Sequence, residues 1–95
     1  MKKYNICVVG ATGLVGRTFL DILEQRNFPI KNLKLLASSR SAGSVLPFAG
    51  QEYVVEELTA DSFNGYDLAL FSAGGETSEQ FAPIAREKGL VVIDN

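Results

Sequence analysis

Gly10-Ala11-Thr12-Gly13-Leu14-Val15-Gly16 decides how this chain is read. It joins two segments of different period. Before it, Asn5 to Val9 is a short, β-branched apolar run, the pattern of a strand buried on both faces. After it, Val15, Phe19, Ile22 and Leu23 recur at i, i+4, i+7 and i+8, one apolar face of a helix that Asn27-Phe28-Pro29 ends. Between a strand and a helix, each glycine has a use. Gly10 allows a sharp exit from the strand, Gly13 bares the backbone to a close neighbour, and Gly16 lets the helix lie against the sheet. The spacing is G-x-x-G-x-x-G, one residue longer in its first gap than the G-x-G-x-x-G of dinucleotide-binding folds. The N–H groups of Thr12 to Val15 are expected to face phosphates, with the helix dipole adding a favourable field. The competing reading is a glycine-rich turn that holds no ligand; the strand-turn-helix context favours binding.

Working outward, Leu33 to Ala37 reads as a second apolar strand, and Ser38 to Ser44 as a polar loop. Val45 to Phe48 and Tyr53 to Val55 look like short strands around Ala49-Gly50-Gln51, with Pro47 confining the first to an edge. Phe48 and Tyr53 pack on one another in this hairpin. Glu56-Glu57 and Asp61 read as a solvated face around a short turn, and Thr59 to Phe63 as a single helical turn. Asn64-Gly65 feeds Asp67 to Phe71, a third buried strand. Thr77 and Gln80 have capping-box spacing for a helix running to about Lys88. Pro83 is expected near the start of its main part, after a kinked or separate first turn. Gly89 ends it, and Leu90 to Ile93 reads as a fourth core strand. Strands alternating with helices give an α/β, Rossmann-like fold over residues 1–95: a mostly parallel sheet with crossover helices and a short β excursion.

With 95 residues, the chain supports one domain. A net charge of -2 and no run of like charges argue against nucleic acid or an anionic membrane as the main partner. The apolar runs are far too short to span a bilayer, and no secretory leader is legible. One cysteine and no histidine exclude an intrachain disulfide and make a zinc site improbable, so no metal is expected. A cytoplasmic setting fits this composition. A chain that stops on a core strand is expected to be a fragment of a longer, two-domain enzyme.

The end of the second strand bears on the ligand. Ala37-Ser38-Ser39-Arg40-Ser41-Ala42-Gly43 carries no Asp or Glu, the residue that holds a ribose 2′-OH in NAD-binding folds. Arginine grips a 2′-phosphate with a planar fork, and serine hydroxyls add donors. NADP is therefore expected over NAD. The alternative is that Arg40 is one solvated cation among several.

Together these stretches resemble aspartate-semialdehyde dehydrogenase, in its N-terminal part. The resemblance rests on Val8 to Gly16, Leu35 to Gly43, Ala69-Leu70-Phe71-Ser72-Ala73-Gly74-Gly75, Phe81-Ala82-Pro83 and Val91 to Asn95, in order along the whole chain. The Ser-Arg-Ser-Ala-Gly and Phe-Ser-Ala-Gly-Gly stretches are its more specific parts. It implies reduction of L-aspartyl-4-phosphate to L-aspartate 4-semialdehyde by NADPH, with release of phosphate, towards lysine, threonine, methionine and diaminopimelate. It implies a cysteine nucleophile, a histidine acid/base, substrate-holding arginines and a dimer or tetramer. Of the cofactor contacts it implies, Gly10, Thr12, Gly13, Leu14 and Val15 fall at the diphosphate, and Ser38, Arg40 and Ser41 at the 2′-phosphate. Ser72, Ala73 and Gly74 fall at the end of the third strand, and Asn95 towards the nicotinamide.

The cysteine and histidine implied by the resemblance lie beyond this chain. Cys7, inside the first strand, is expected to be buried and inert, so no catalytic residue is assigned. Two rival readings stay open: N-acetyl-glutamyl-phosphate reductase, and an NADP-sensing regulator without chemistry of its own. A purely structural domain with an empty site is a third.

Overall fold

The computed structural model describes residues 2–72 and 74–94; the expectations for Ala73 and Asn95 lie outside the described residues. The elements run β1 (Tyr4–Val9), α1 (Leu14–Gln25), β2 (Ile30–Ala37), β3 (Val45–Phe48), β4 (Gln51–Val54), β5 (Glu56–Glu57), β6 (Leu68–Phe71), α2 (Gly75–Glu87) and β7 (Val91–Asp94). Five strands form one sheet in the order β5-β2-β1-β6-β7, and every pair in it is parallel. β3 and β4 form a separate antiparallel hairpin.

Parallel neighbours require crossovers, and the crossovers cover both faces. On one face, α1 and the hairpin pack against Ile6, Val8, Leu33, Leu35 and Leu70 through Leu20, Leu23, Leu46 and Phe48. On the other, α2 brings Ala82 and Ala85 to Cys7, Val9, Leu36, Ala69 and Phe71, with Phe63 beside them. β1 is therefore shielded on both faces, and Ile6, Cys7 and Val8 are fully buried. Phe48 and Tyr53 meet edge-on, ring centres 6.1 Å apart, as the hairpin reading expects.

Both helices end by the same device. After α1, Phe28 N–H donates to Leu23 O and Asn27 N–H to Glu24 O, with Asn27 left-handed at φ 52°. After α2, Leu90 N–H donates to Ala85 O and Gly89 N–H to Arg86 O. These paired bonds satisfy carbonyls that the helix leaves open.

Several expectations need correction. The buried stripe of α1 is Gly16, Leu20 and Leu23, and Ile22 is 45% exposed, because the close approach at Gly16 sets the helix's rotation. β2 begins at Ile30, since pairing with Tyr4 extends it beyond its apolar part. Residues 59–66 form consecutive turns closed by Thr59, Asp61 and Phe63 carbonyls, without a helix. α2 starts at Gly75 with Gly74 as N-cap and no side-chain cap, so Thr77 and Gln80 make no capping box. Pro83 lies inside α2, not at its start; it is on the exposed side, where its ring and missing N–H are tolerated. β7 is an edge strand, with Val91 64% and Ile93 47% exposed, so it is no core strand in this chain. Finally, the backbone of Glu56-Glu57 forms a strand, β5, paired to Leu36-Ala37, where only a polar stretch around a turn was expected; both side chains are exposed, in keeping with the solvated face.

Candidate dinucleotide site

From β1 the chain crosses to β2 on one side, while β6 and β7 extend the sheet on the other. Strand order thus reverses beside β1. In open parallel sheets a crevice forms there, outside the carboxyl ends of the strands. A cavity of about 520 Å³ occupies this place, within the range of small-molecule sites. Val9 and Gly10 from β1, Ala37 and Ser38 from β2, Glu57 and Leu58 from β5, and Ser72 from β6 all reach it.

The glycine turn forms its floor. Gly10 leaves β1 at φ 80°, a left-handed conformation that a side chain strains. Its N–H and that of Ala11 donate to Leu36 O at 2.8 and 3.2 Å, which anchors the turn to β2. A Cβ on Gly16 would lie 2.2 Å from Gly10 O and 2.8 Å from Ala11 Cα, so only glycine lets α1 come this close. Gly13 differs. Its φ is -78°, and an added Cβ would meet only Gly10 O, at an ordinary 3.6 Å. Nothing within the described chain demands glycine at position 13.

The N–H groups divide in a way the sequence did not show. Gly13 N–H is turned inward to Gly10 O at 3.1 Å, and Arg17 N–H to Gly13 O at 3.0 Å. The expectation that Gly13 N–H faces outward is therefore corrected: the turn closes on itself there. Among the described residues, Thr12, Leu14 and Val15 N–H find no protein acceptor. Leu14 and Val15 are open donors of the first turn of α1, and Thr12 lies just before its N-cap Gly13, all at the positive end of the helix.

Ser72 braces this geometry. Its N–H donates to Val9 O at 2.9 Å, and its hydroxyl reaches Val9 O at 2.8 Å and Gly10 O at 3.0 Å. The other rim is the Ser38–Ser41 turn, where Ser41 and Ala42 N–H both donate to Ser38 O. Ser38, Ser39 and Ser41 line the cavity. Arg40 stands exposed at the tip of that turn and is not among the lining residues.

Of the expected cofactor residues, the structure brings Gly10, Thr12, Gly13, Ser38, Ser41 and Ser72 to one cavity. Leu14, 83% exposed, and Val15 sit on the first turn of α1 outside its wall. Gly74 instead borders a separate groove between α2 and β7. Sequence reasoning missed Ser39, Glu57, Leu58, Thr77 and Phe81, all of which line the cavity. Glu57 was missed because two residues carry no legible period, and Thr77 and Phe81 because helix spacing alone does not tell which face meets the crevice.

Cys7 is fully buried, its thiol 3.9 Å from Ser62 O. Burial pushes its pKa up from 9.0 to about 12, against the lowering pull of Lys34 and with a raising push from Glu56. It is no nucleophile at neutral pH. Burial also raises the Tyr66 hydroxyl. Lys34 lies over the Tyr66 ring at 4.6 Å and donates to Ser62 O at 3.0 Å. Among the described residues no cluster of His, Cys, Asp or Glu could hold a metal ion, and no helix is long and apolar enough to cross a membrane.

A parallel sheet wound both ways from β1, with a glycine turn opening a helix beneath the crevice, defines a Rossmann-type dinucleotide-binding domain. The family described as semialdehyde dehydrogenase, NAD binding domain, matches residues 5–95, and the chain belongs to it. It is 58% identical over 93 residues to the aspartate-semialdehyde dehydrogenase of Aquifex aeolicus, covering 97% of this chain and 27% of that protein. With the Legionella pneumophila enzyme it shares 56% identity over 94 residues, 99% of this chain and again 27% of that protein. The chain thus spans about a quarter of the length of these relatives. Aspartate semialdehyde dehydrogenase II from Vibrio cholerae, solved in complex with ASA, superposes with a TM-score of 0.94 at 47% identity, covering 99% of this chain and 31% of that one. A protein named RSP, solved with β-NADH, superposes at 0.69 with 16% identity, covering 97% of this chain and 45% of that one, a likeness of fold alone.

Proposed function

We propose that this chain is the NADP(H)-binding part of an aspartate-semialdehyde dehydrogenase, which reduces L-aspartyl-4-phosphate to L-aspartate 4-semialdehyde and releases phosphate. The curated relatives it resembles carry that name. The observation that carries the cofactor reading is the glycine turn. Gly10 is favoured by its left-handed φ and Gly16 is required by the backbone packed against it, whereas Gly13 is left open at the cavity. A diphosphate lying on Gly13 explains that glycine, and the N–H groups of Thr12, Leu14 and Val15 are the donors it takes.

In this reading Ser38, Ser41 and Arg40 hold the 2′-phosphate, Arg40 swinging in from the exposed turn. Ser72, with Ala73 next to it in sequence, borders the cofactor beyond the diphosphate, and Asn95 approaches the nicotinamide; Gly74, on the separate groove, is not assigned to the cofactor. The bound NADPH supplies the hydride. The nucleophile and the acid/base come from the rest of the enzyme, since Cys7 is buried and histidine is absent. The intact enzyme is a cytoplasmic homo-oligomer serving lysine, threonine, methionine and diaminopimelate synthesis, without nucleic-acid or membrane partners. The 95-residue chain alone turns over no substrate.

Calorimetric titration of the intact protein tests the cofactor reading. NADPH binds, and Arg40→Ala weakens it by about tenfold or more while changing NADH affinity little, because a charge-assisted bond to phosphate is lost. Binding of neither nucleotide by the unmutated protein sinks the proposal. Steady NADPH oxidation by the isolated 95-residue chain would overturn the division of roles.

A further inference from the structure

β5 delivers an acid to the cavity that the end of β2 lacks. Leu36-Ala37 and Glu56-Glu57 are in register, so Glu57 stands beside the last residue of β2, one step before the serine turn. Leu58 N–H donates to Ala37 O at 2.8 Å and fixes this strand end. Glu57 lines the cavity together with Ala37, Ser38, Ser39 and Ser41. Arg40, at the tip of the same turn, lies outside the wall. The acid is thus carried, exposed, on a backbone fixed by strand pairing, and the arginine on a loop. Successive strand residues point to opposite faces, so Glu56, also exposed, lies on the other side of the sheet from Glu57 and is not among the lining residues.

We propose that Glu57 is a specificity-determining residue, accepting a hydrogen bond from a free ribose hydroxyl of the dinucleotide and opposing a 2′-phosphate. The inference rests on reading the cavity as a dinucleotide site. A carboxylate accepts from a 2′-OH but has no proton to offer a phosphate dianion at neutral pH, and like charges across a partly enclosed site repel. Arg40 pulls towards the phosphorylated ribose and Glu57 towards the plain one. With Arg40 and the serines outweighing it, Glu57 moderates the preference for the phosphorylated ribose without reversing it, and removing Arg40 or Glu57 shifts that preference in opposite directions.

The test uses 2′,5′-ADP and 5′-AMP as probes of this half of the cofactor, with the intact protein, Glu57→Gln and Glu56→Gln. Glu57→Gln tightens 2′,5′-ADP by about fivefold or more, through loss of like-charge repulsion, and does not tighten 5′-AMP. Glu56→Gln leaves both unchanged. Thermal melting monitors folding; should Glu57→Gln fail to fold, Glu57→Asp, with a carboxylate one methylene shorter, shows a smaller shift of the same sign. An unchanged ratio in a folded Glu57 variant, with the unmutated protein binding both probes, overturns the role of Glu57 alone. Binding of neither probe by the unmutated protein overturns the dinucleotide reading and this inference with it.

Discussion

At the scale of single residues, the glycines of one turn answer to different forces. A methyl group on Gly16 would press on backbone atoms of Gly10 and Ala11, which no rotamer change relieves. Gly16→Ala is expected to cost about 3 kcal/mol or more, read as a large loss of Tm. Gly13→Ala meets only an ordinary contact. It should cost about 1 kcal/mol as a poorer helix cap, leaving the fold intact while dinucleotide binding is lost. Equal loss of stability in the two variants would contradict this division. Cys7 makes a pH prediction. Its folded pKa, about 12, lies above the ordinary 9.0, so above pH 9 the unfolded chain releases a proton that the native chain keeps. Stability then falls as pH rises through that window, and Cys7→Val should flatten this alkaline limb in urea titrations. Residue chemistry was largely legible in advance: the spacing of glycines and the burial of Cys7 follow from local pattern. Which N–H groups point outward did not follow, because the inward bond of Gly13 N–H depends on the curl of the turn.

At the scale of elements, two local conflicts are tolerated. Pro83 sits within α2 and removes a donor to the preceding turn. Since it is exposed, Pro83→Ala restores the bond without disturbing the core, and should raise stability by about 1–3 kcal/mol. Unchanged or lowered thermal stability would show that α2 is bent usefully there. In the hairpin, Ala49 at φ 50° precedes Gly50 at φ 80°, a turn geometry that favours Asn-Gly. Ala49→Asn is expected to stabilise the protein by roughly 0.5–1 kcal/mol. The apolar strands β1 and β6, the apolar part of β2, and the bodies of α1 and α2 were readable from sequence. β5 was not, since a pair of glutamates acquires strand geometry only from its neighbour β2. The capping expectation at Thr77 failed because Gly74 turns the chain into the helix by backbone conformation alone.

At the scale of the whole molecule, the sheet is protected on its faces and unequal at its edges. β5, at one edge, is short and acidic, a form that discourages pairing with another chain. β7, at the other, presents Val91 and Ile93 to solvent. The isolated 95-residue chain is therefore expected to self-associate as its concentration rises, and Val91→Lys with Ile93→Lys to reduce this in sedimentation velocity. A concentration-independent monomer would contradict the assignment of β7 as a sticky edge. The parallel order of the sheet was legible from alternating strands and helices, but the exposure of β7 was not: its apolar composition belongs equally to a strand with neighbours on every side.

The place of β1 at the centre of the sheet has a consequence for synthesis. One partner, β2, follows closely, but the register of the other runs from Ile6 to Leu68. A growing polypeptide must therefore leave the flank of its first strand unzipped until most of this sequence has been translated. The Ser72 hydroxyl, which fastens Val9 and Gly10, arrives later still. The glycine turn, encoded first, is among the last features to set.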